Sequence, residues 1–189
     1  MAIYNKYSVM PYIPYNVVQY LATHNENIWK ILKYPTYDCL SKPDLTLDEK
    51  MELVWNGTTH QDDYSVFFSA LIEDMIMDER TILKIHRYYT VPKSNIFATA
   101  LYEFDILYGG KIALIDYNGY PCNRGDVMEA EILSTLNGQE MDGVGVMEFN
   151  TQKSSMSKSM HNIGDNKSFT GNTLVLAIDI SDVGEGECW

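Results

Sequence analysis

"NIFATALYEFDILYG", residues 95–109, decides the architecture. Its small and apolar residues fall on every second position: Ile96, Ala98, Ala100, Tyr102, Phe104, Ile106 and Tyr108 share one face, and Thr99, Glu103 and Asp105 share the other. A period of two is the pleat of a β-strand, and one apolar side means one buried face. "NTLVLAIDI", residues 172–180, repeats the pattern with Leu174, Leu176, Ile178 and Ile180. Upstream, "YSVFFSALI" reads as a short strand and Asp78-Glu79 as a turn. "TILKIHRYYTV" then places Leu83, Ile85, Tyr89 and Val91 on one face, interrupted by Arg87.

Such strands need a cover, and the helical segments supply it. "NRGDVMEAEILSTLNG", residues 123–138, predicts an amphipathic helix with Asn123 as its cap, Asp126 at the positive end, and Met128, Ile132 and Leu136 at spacing of four. Asn137-Gly138 ends it. The first 60 residues are helical in pattern. Pro11 and Pro14 are expected to hold an extended arm, followed by two short helices broken at Asn25 and stopped by Pro35. In "LTLDEKMELVWNG", Thr46 and Glu49 have capping-box spacing, and Leu47, Met51, Val54 and Trp55 form one stripe that Asn56-Gly57 can end. The expectation is α+β: a mostly antiparallel sheet with a packed amphipathic helix and an N-terminal helical arm. Residues 1–60 form the arm and helices and residues 61–189 the sheet domain, read together as one structural unit.

"NTQKSSMSKSMHNIGDNKSFTG", residues 150–171, does not fit the tidy order. It lies between "GVGVMEF" and the last strand and is expected to be a long loop, against roughly 2 to 6 residues for an ordinary connection. Lys153, Lys158 and Lys167 make it locally basic in a chain of net charge −12. With Met156, Met160 and His161, these side chains are candidates for an inter-subunit or lumen contact.

The balance of 14 Lys+Arg against 26 Asp+Glu excludes a protein that grips nucleic acid by neutralising phosphates. It does not exclude a conduit that DNA slides through. The 14 Tyr and 10 Met suit contact surfaces as well as a core. Cys39, Cys122 and Cys188 show no paired spacing and imply no disulfide framework. The first residues lack a signal-peptide pattern and no run is long enough to span a membrane, so a soluble chain made in a reducing cytosol is expected, with no membrane partner.

Chemistry-bearing patterns are sparse. His24, His60, His86 and His161 have no zinc-ligand spacing and read as solitary residues. Lys111 in "YGGKIAL" is followed by Ile, so there is no P-loop, and no GxSxG elbow occurs. The acidic pairs Glu73-Asp74 and Asp78-Glu79 lack EF-hand spacing. No catalytic residue, metal ligand or cofactor is expected from these patterns.

The strings "NENIWKILKYPTYDCLSKPDLTLDEKMELVWNG", "FFSALIEDMIMDERTILKIH", "YEFDILYGG", "EAEILSTLNGQEMDGVGVMEFN" and "NIGDNKSFTGNTLVLAIDI" resemble tailed-bacteriophage neck proteins of the head-to-tail connector and tail-terminator type. The resemblance implies a structural virion protein and not an enzyme: a homo-oligomeric ring meeting portal and tail proteins around genomic DNA that passes without sequence-specific binding. Residues 152–167 would then reach a neighbouring subunit, and Trp29, Tyr34 and Trp55 would line partner-contact helices. The alternatives are another tail or baseplate protein, a small acidic enzyme with an unrecognised site, or a monomeric binding module.

Overall fold

The structure is a computed structural model that describes residues 10–58, 60–70, 80–94, 97–141, 145–163 and 169–181. Pro14 sits in the first turn of helix α1 (Ile13–His24), where its missing N–H costs nothing. The stretch from Pro11 to Pro14 is therefore not an extended arm; a 3-10 turn at residues 10–12 leads straight into the helix. Asn25 breaks the chain as expected, and its side chain accepts from the Ile28 N–H at 3.1 Å to start α2 (Glu26–Lys33). The capping box of Thr46 and Glu49 is present at α3 (Leu47–Met51).

That third helix ends well before Asn56-Gly57. β-branched Val54 makes a parallel bridge with Val66, and the Trp55 N–H donates to the Val66 carbonyl at 2.9 Å, so the backbone has already left the helix. Leu47 consequently points to solvent instead of joining a stripe with Val54.

The strands are β1 (Val66–Phe67), β2 (Thr81–Pro92), β3 (Phe97–Gly109), β4 (Leu114–Tyr117) and β5 (Tyr120–Asn123). Helix α4 (Arg124–Leu136) follows, then β6 (Glu140–Met141), β7 (Gly145–Glu148), β8 (Met156–Ile163) and β9 (Phe169–Ser181). The main sheet runs β1-β2-β3-β9, with β7 and β8 one after the other along the far side of β9 and β6 on β7. Only β1 and β2 pair in parallel among these strands. The fold class is α+β: a curled, mostly antiparallel sheet with its helices, the N-terminal one included, packed on one face. β4 and β5 form a separate hairpin through Asn118-Gly119, both at positive φ, the turn that two-residue hairpins favour.

One core joins helices and sheet. Val17, Val18 and Leu21 of α1, Ile28, Trp29 and Ile31 of α2, and Met128, Ile132 and Leu136 of α4 pack against Tyr102, Phe104, Ile106, Leu174, Leu176 and Ile178. The alternating faces of β3 and β9 are thus the ones expected, apart from Ile96, which lies outside the described residues. On β2 the pattern changes halfway. The register shifts between Arg87 and Tyr89, so Tyr88 is an extra residue, and Tyr89 and Val91 pair with Leu101 and Thr99 on the face away from the helices. Expected inward, they are half-exposed there.

The described residues of 150–171 are not one long loop. A short excursion, residues 149–155, leaves the strand line, and Met156–Ile163 then returns to β9 as β8, with Met156 opposite Val175 and Met160 opposite Gly171. Alternating Met, Ser, Lys, Ser and Met suit an edge strand that needs only one partner.

Candidate functional site

On the sheet face away from the helices, β2 presents Lys84 and His86, and β3 presents Glu103 and Asp105. Residues two apart share a face of a strand. The antiparallel register sets Lys84 opposite Asp105 and His86 opposite Glu103, and β9 adds Thr173 opposite Asp105. The Lys84 Nζ lies 2.7 Å from Asp105 Oδ2 and donates to the Ala70 carbonyl at 3.0 Å. Thr173 Oγ1 donates to Asp105 Oδ1 at 2.7 Å, and His86 Nε2 stands 3.7 Å from Asp105 Oδ2. Lys158 of β8 continues the row at the sheet edge, opposite Thr173.

The two carboxylates are driven apart in acidity. Burial pushes Asp105 up, but hydrogen bonds from His86, Lys84 and Thr173 outweigh it and hold the carboxyl well below the usual range. Burial also raises Glu103, and the neighbouring Asp105 charge raises it further. His86, Glu103 and Asp105 offer ligand atoms within 4.8 Å of one another, a spacing that can surround a cation. The cation already beside Asp105 is the Lys84 ammonium, so the cluster balances its charge with the chain's own residues. His86, read as solitary from its sequence neighbours, belongs to this network.

These shifts give a prediction with opposite signs at adjacent positions. Asp105 has a folded pKa below its unfolded value, so its contribution is present above about pH 4 and is lost as pH falls through the folded pKa. Glu103 is raised, so its ionised form opposes folding above the folded pKa and that cost vanishes below about pH 4. Glu103→Gln is expected to match or exceed the parent in thermal stability at pH 7, whereas Asp105→Asn falls below it, both differences shrinking in acid. Melting curves at stepped pH check this; a loss at pH 7 for Glu103→Gln would show that its charge is needed.

The residues expected to meet a neighbour are dispersed. Lys153 folds back within its own chain, paired with Glu148 and with Asp179 at 2.7 Å, and Asp179 also accepts from Thr99 at 2.6 Å. Burial opposes the Lys153 charge, but these two carboxylates raise its pKa. Its charge is spent inside the subunit. Met160 packs partly buried beside Phe67, Ile82, Leu107 and Phe169, while Met156 and Lys158 are exposed on β8. His161 is described by its backbone alone, and Lys167 lies outside the described residues. Trp29 is 1% exposed and closed to any partner, a correction that follows from its place under the sheet. Tyr34 is partly buried and lends its carbonyl to Arg124, and Trp55 packs 6.0 Å from Phe67.

Fold and site together define an α+β protein whose outer sheet face carries a self-neutralised charge network between two strand edges. The YomW family model matches residues 25–178, and the chain belongs to the YomW family. The family name points to a phage-associated protein. No curated protein matches the chain. Among the described residues, no helix is long and apolar enough to cross a membrane.

Proposed function

We propose that this chain is a structural virion protein of a tailed phage. It forms a homo-oligomeric ring in the neck, as a head-to-tail connector or tail terminator, and genomic DNA passes through it. The observation that carries the reading is the match to a phage-associated family over residues 25–178. Two features agree with it. The charged groups of the outer face neutralise one another, as Lys84 with Asp105 and Lys153 with Asp179, which suits a scaffold. The net charge of −12 suits a passage that must not hold DNA.

Locating the chain in purified virions tests this. Antibody label at the head-to-tail junction is expected, together with filled heads and unattached tails when the protein is withheld. Label at the tail tip would move the protein to the baseplate. Absence from virions, or normal infectious particles without it, would overturn the reading. Turnover of a substrate by the purified chain would replace it with an enzyme.

A further inference from the structure

Two strand edges lack a strand partner among the described residues. β8 pairs only with β9, and β2 beyond Lys84, residues 86–92, pairs only with β3. Such rows of outward N–H and C=O groups are templates for another strand. The two edges are similar in length, and each leaves large apolar side chains exposed. Tyr89 and Val91 on β2 are 40% and 39% exposed, and Met156 on β8 is 40% exposed. All three project on the same sheet face: Tyr89 and Val91 pair with Leu101 and Thr99, and Met156 pairs with Val175, next to the Thr173 that donates to Asp105.

We propose that β8 of one copy pairs antiparallel with residues 86–92 of β2 in the next copy, so that the sheets of successive subunits join into one continuous belt. The inference rests on the ring reading above and specifies its contact. Its direction follows from topology. From β2 to β3 to β9 to β8 there are three antiparallel steps, so β2 and β8 run in opposite senses within one subunit. A second copy set beside the first with the same face outward therefore brings its β2 antiparallel to β8. This contact is heterologous, joining two different patches, and repeated contacts of that kind close into a ring when the rotation per subunit permits.

Charge disfavours the self-paired alternative in its most symmetric register. The centre of β8, "MSKSM", is symmetric about Lys158, so pairing β8 with β8 of a second copy in antiparallel register sets Lys158 against Lys158. Like charges directly opposite are destabilising. Against β2, the same lysine meets a tyrosine-bearing edge, where an ammonium over a ring is favourable. With Lys158 opposite Tyr89, the antiparallel register sets Met156 opposite Val91, covering apolar surface that each subunit leaves exposed.

Hydrogen exchange on the ring recovered from virions, compared with dissociated subunits, tests the pairing. Outward amides of residues 86–91 and 156–163 are expected to slow together, by at least about tenfold, in the assembled form. Ser157→Pro and Lys158→Pro provide a second arm, because successive N–H groups of an edge strand point alternately inward and outward. One of the two variants should keep the parent's melting temperature and lose assembly; the other should lose stability. Rings whose two edges exchange as fast as in free subunits would overturn the pairing and leave the ring reading standing. Assembly by both proline variants would do the same. A chain absent from virions and monomeric throughout would overturn both.

Discussion

Arg124→Met is expected to destabilise the protein by about 3 to 5 kcal/mol, a large part of the stability of an ordinary domain. Arg124 is fully buried, and no carboxylate accepts from it among the described residues. Its Nε donates to the Ile112 carbonyl at 2.7 Å. Its Nη1 reaches the carbonyls of Ile31 at 3.0 Å and Tyr34 at 3.1 Å and the Thr81 hydroxyl at 3.2 Å, and Nη2 reaches the Thr36 carbonyl at 3.0 Å. The guanidinium thus ties the C-terminal end of α2, the connection after it, the segment before β4 and the start of β2 to the first turn of α4. Carbonyls at a helix C-terminus have no partner within their own helix, and a cation there also meets the negative end of the dipole. Burial lowers the Arg124 pKa, but a guanidinium stays charged at any ordinary pH. Methionine matches much of the volume and removes the desolvated charge, which is a gain, yet it strands several buried carbonyls. Lysine should fail as well, since an ammonium is a point with three donors and cannot reach acceptors spread around a planar fork. Denaturant unfolding of both variants measures the effect; a methionine variant within about 1 kcal/mol of the parent would mean that water can satisfy these carbonyls.

Nothing in the sequence around Arg124 announces this role. It stands at the start of a helix whose cap, acidic first turn and apolar spacing were all legible, because those features are local and repeat every turn. Its acceptors lie 12 to 93 residues away in sequence. The same division runs through the rest of the chain. The faces of β3 and β9 could be read because each strand is apolar on one side, and Asn25 and Thr46 could be read because a cap bonds within three residues. The outer-face network could not. Lys84 and His86, and Glu103 and Asp105, each show the two-residue spacing, but only the register of β2 on β3 brings the pairs together. The Asn118-Gly119 hairpin escaped the sequence reading, because it joins strands of only four residues each, one of them containing Pro121.

The polar stretch 150–171 misled for a physical reason. A strand exposed from Met156 to Ser159 has almost no hydrophobic period to display, and its lysine and serines look like solvated chain. Because β8 is laid on β9 from Met156 opposite Val175 onward, removing residues 152–167 would strip a strand from the sheet as well as a contact from an assembly. A deletion of that kind cannot separate folding from joining. Single substitutions at the edge can.

Gly171→Ala is expected to be the most damaging one-methyl change in the sheet, at about 3 kcal/mol, the upper end of ordinary overpacking costs. Gly171 lies in β9 with Leu107 of β3 on one side and Met160 of β8 on the other. A Cβ built there would stand 2.0 Å from the Ile106 carbonyl oxygen and 3.0 Å from its carbon. Both are backbone atoms, so no side chain can swing away. Relief requires β3 and β9 to separate at the end where Leu107 and Phe169 meet Phe67 and Ile82, which opens that apolar cluster. Gly138→Ala is the control: its φ of +75° strains any other residue, but nothing lies within 4 Å of the added carbon. That variant should lose only about 1 to 2 kcal/mol. Thermal unfolding ranks the two, and hydrogen exchange locates the damage, because fraying at Gly171 should expose amides of β8 and β9 while α4 stays protected. Equal losses at both positions would mean that the Ile106 peptide can turn aside, and that β3 and β9 approach one another less rigidly than their continuous ladder implies.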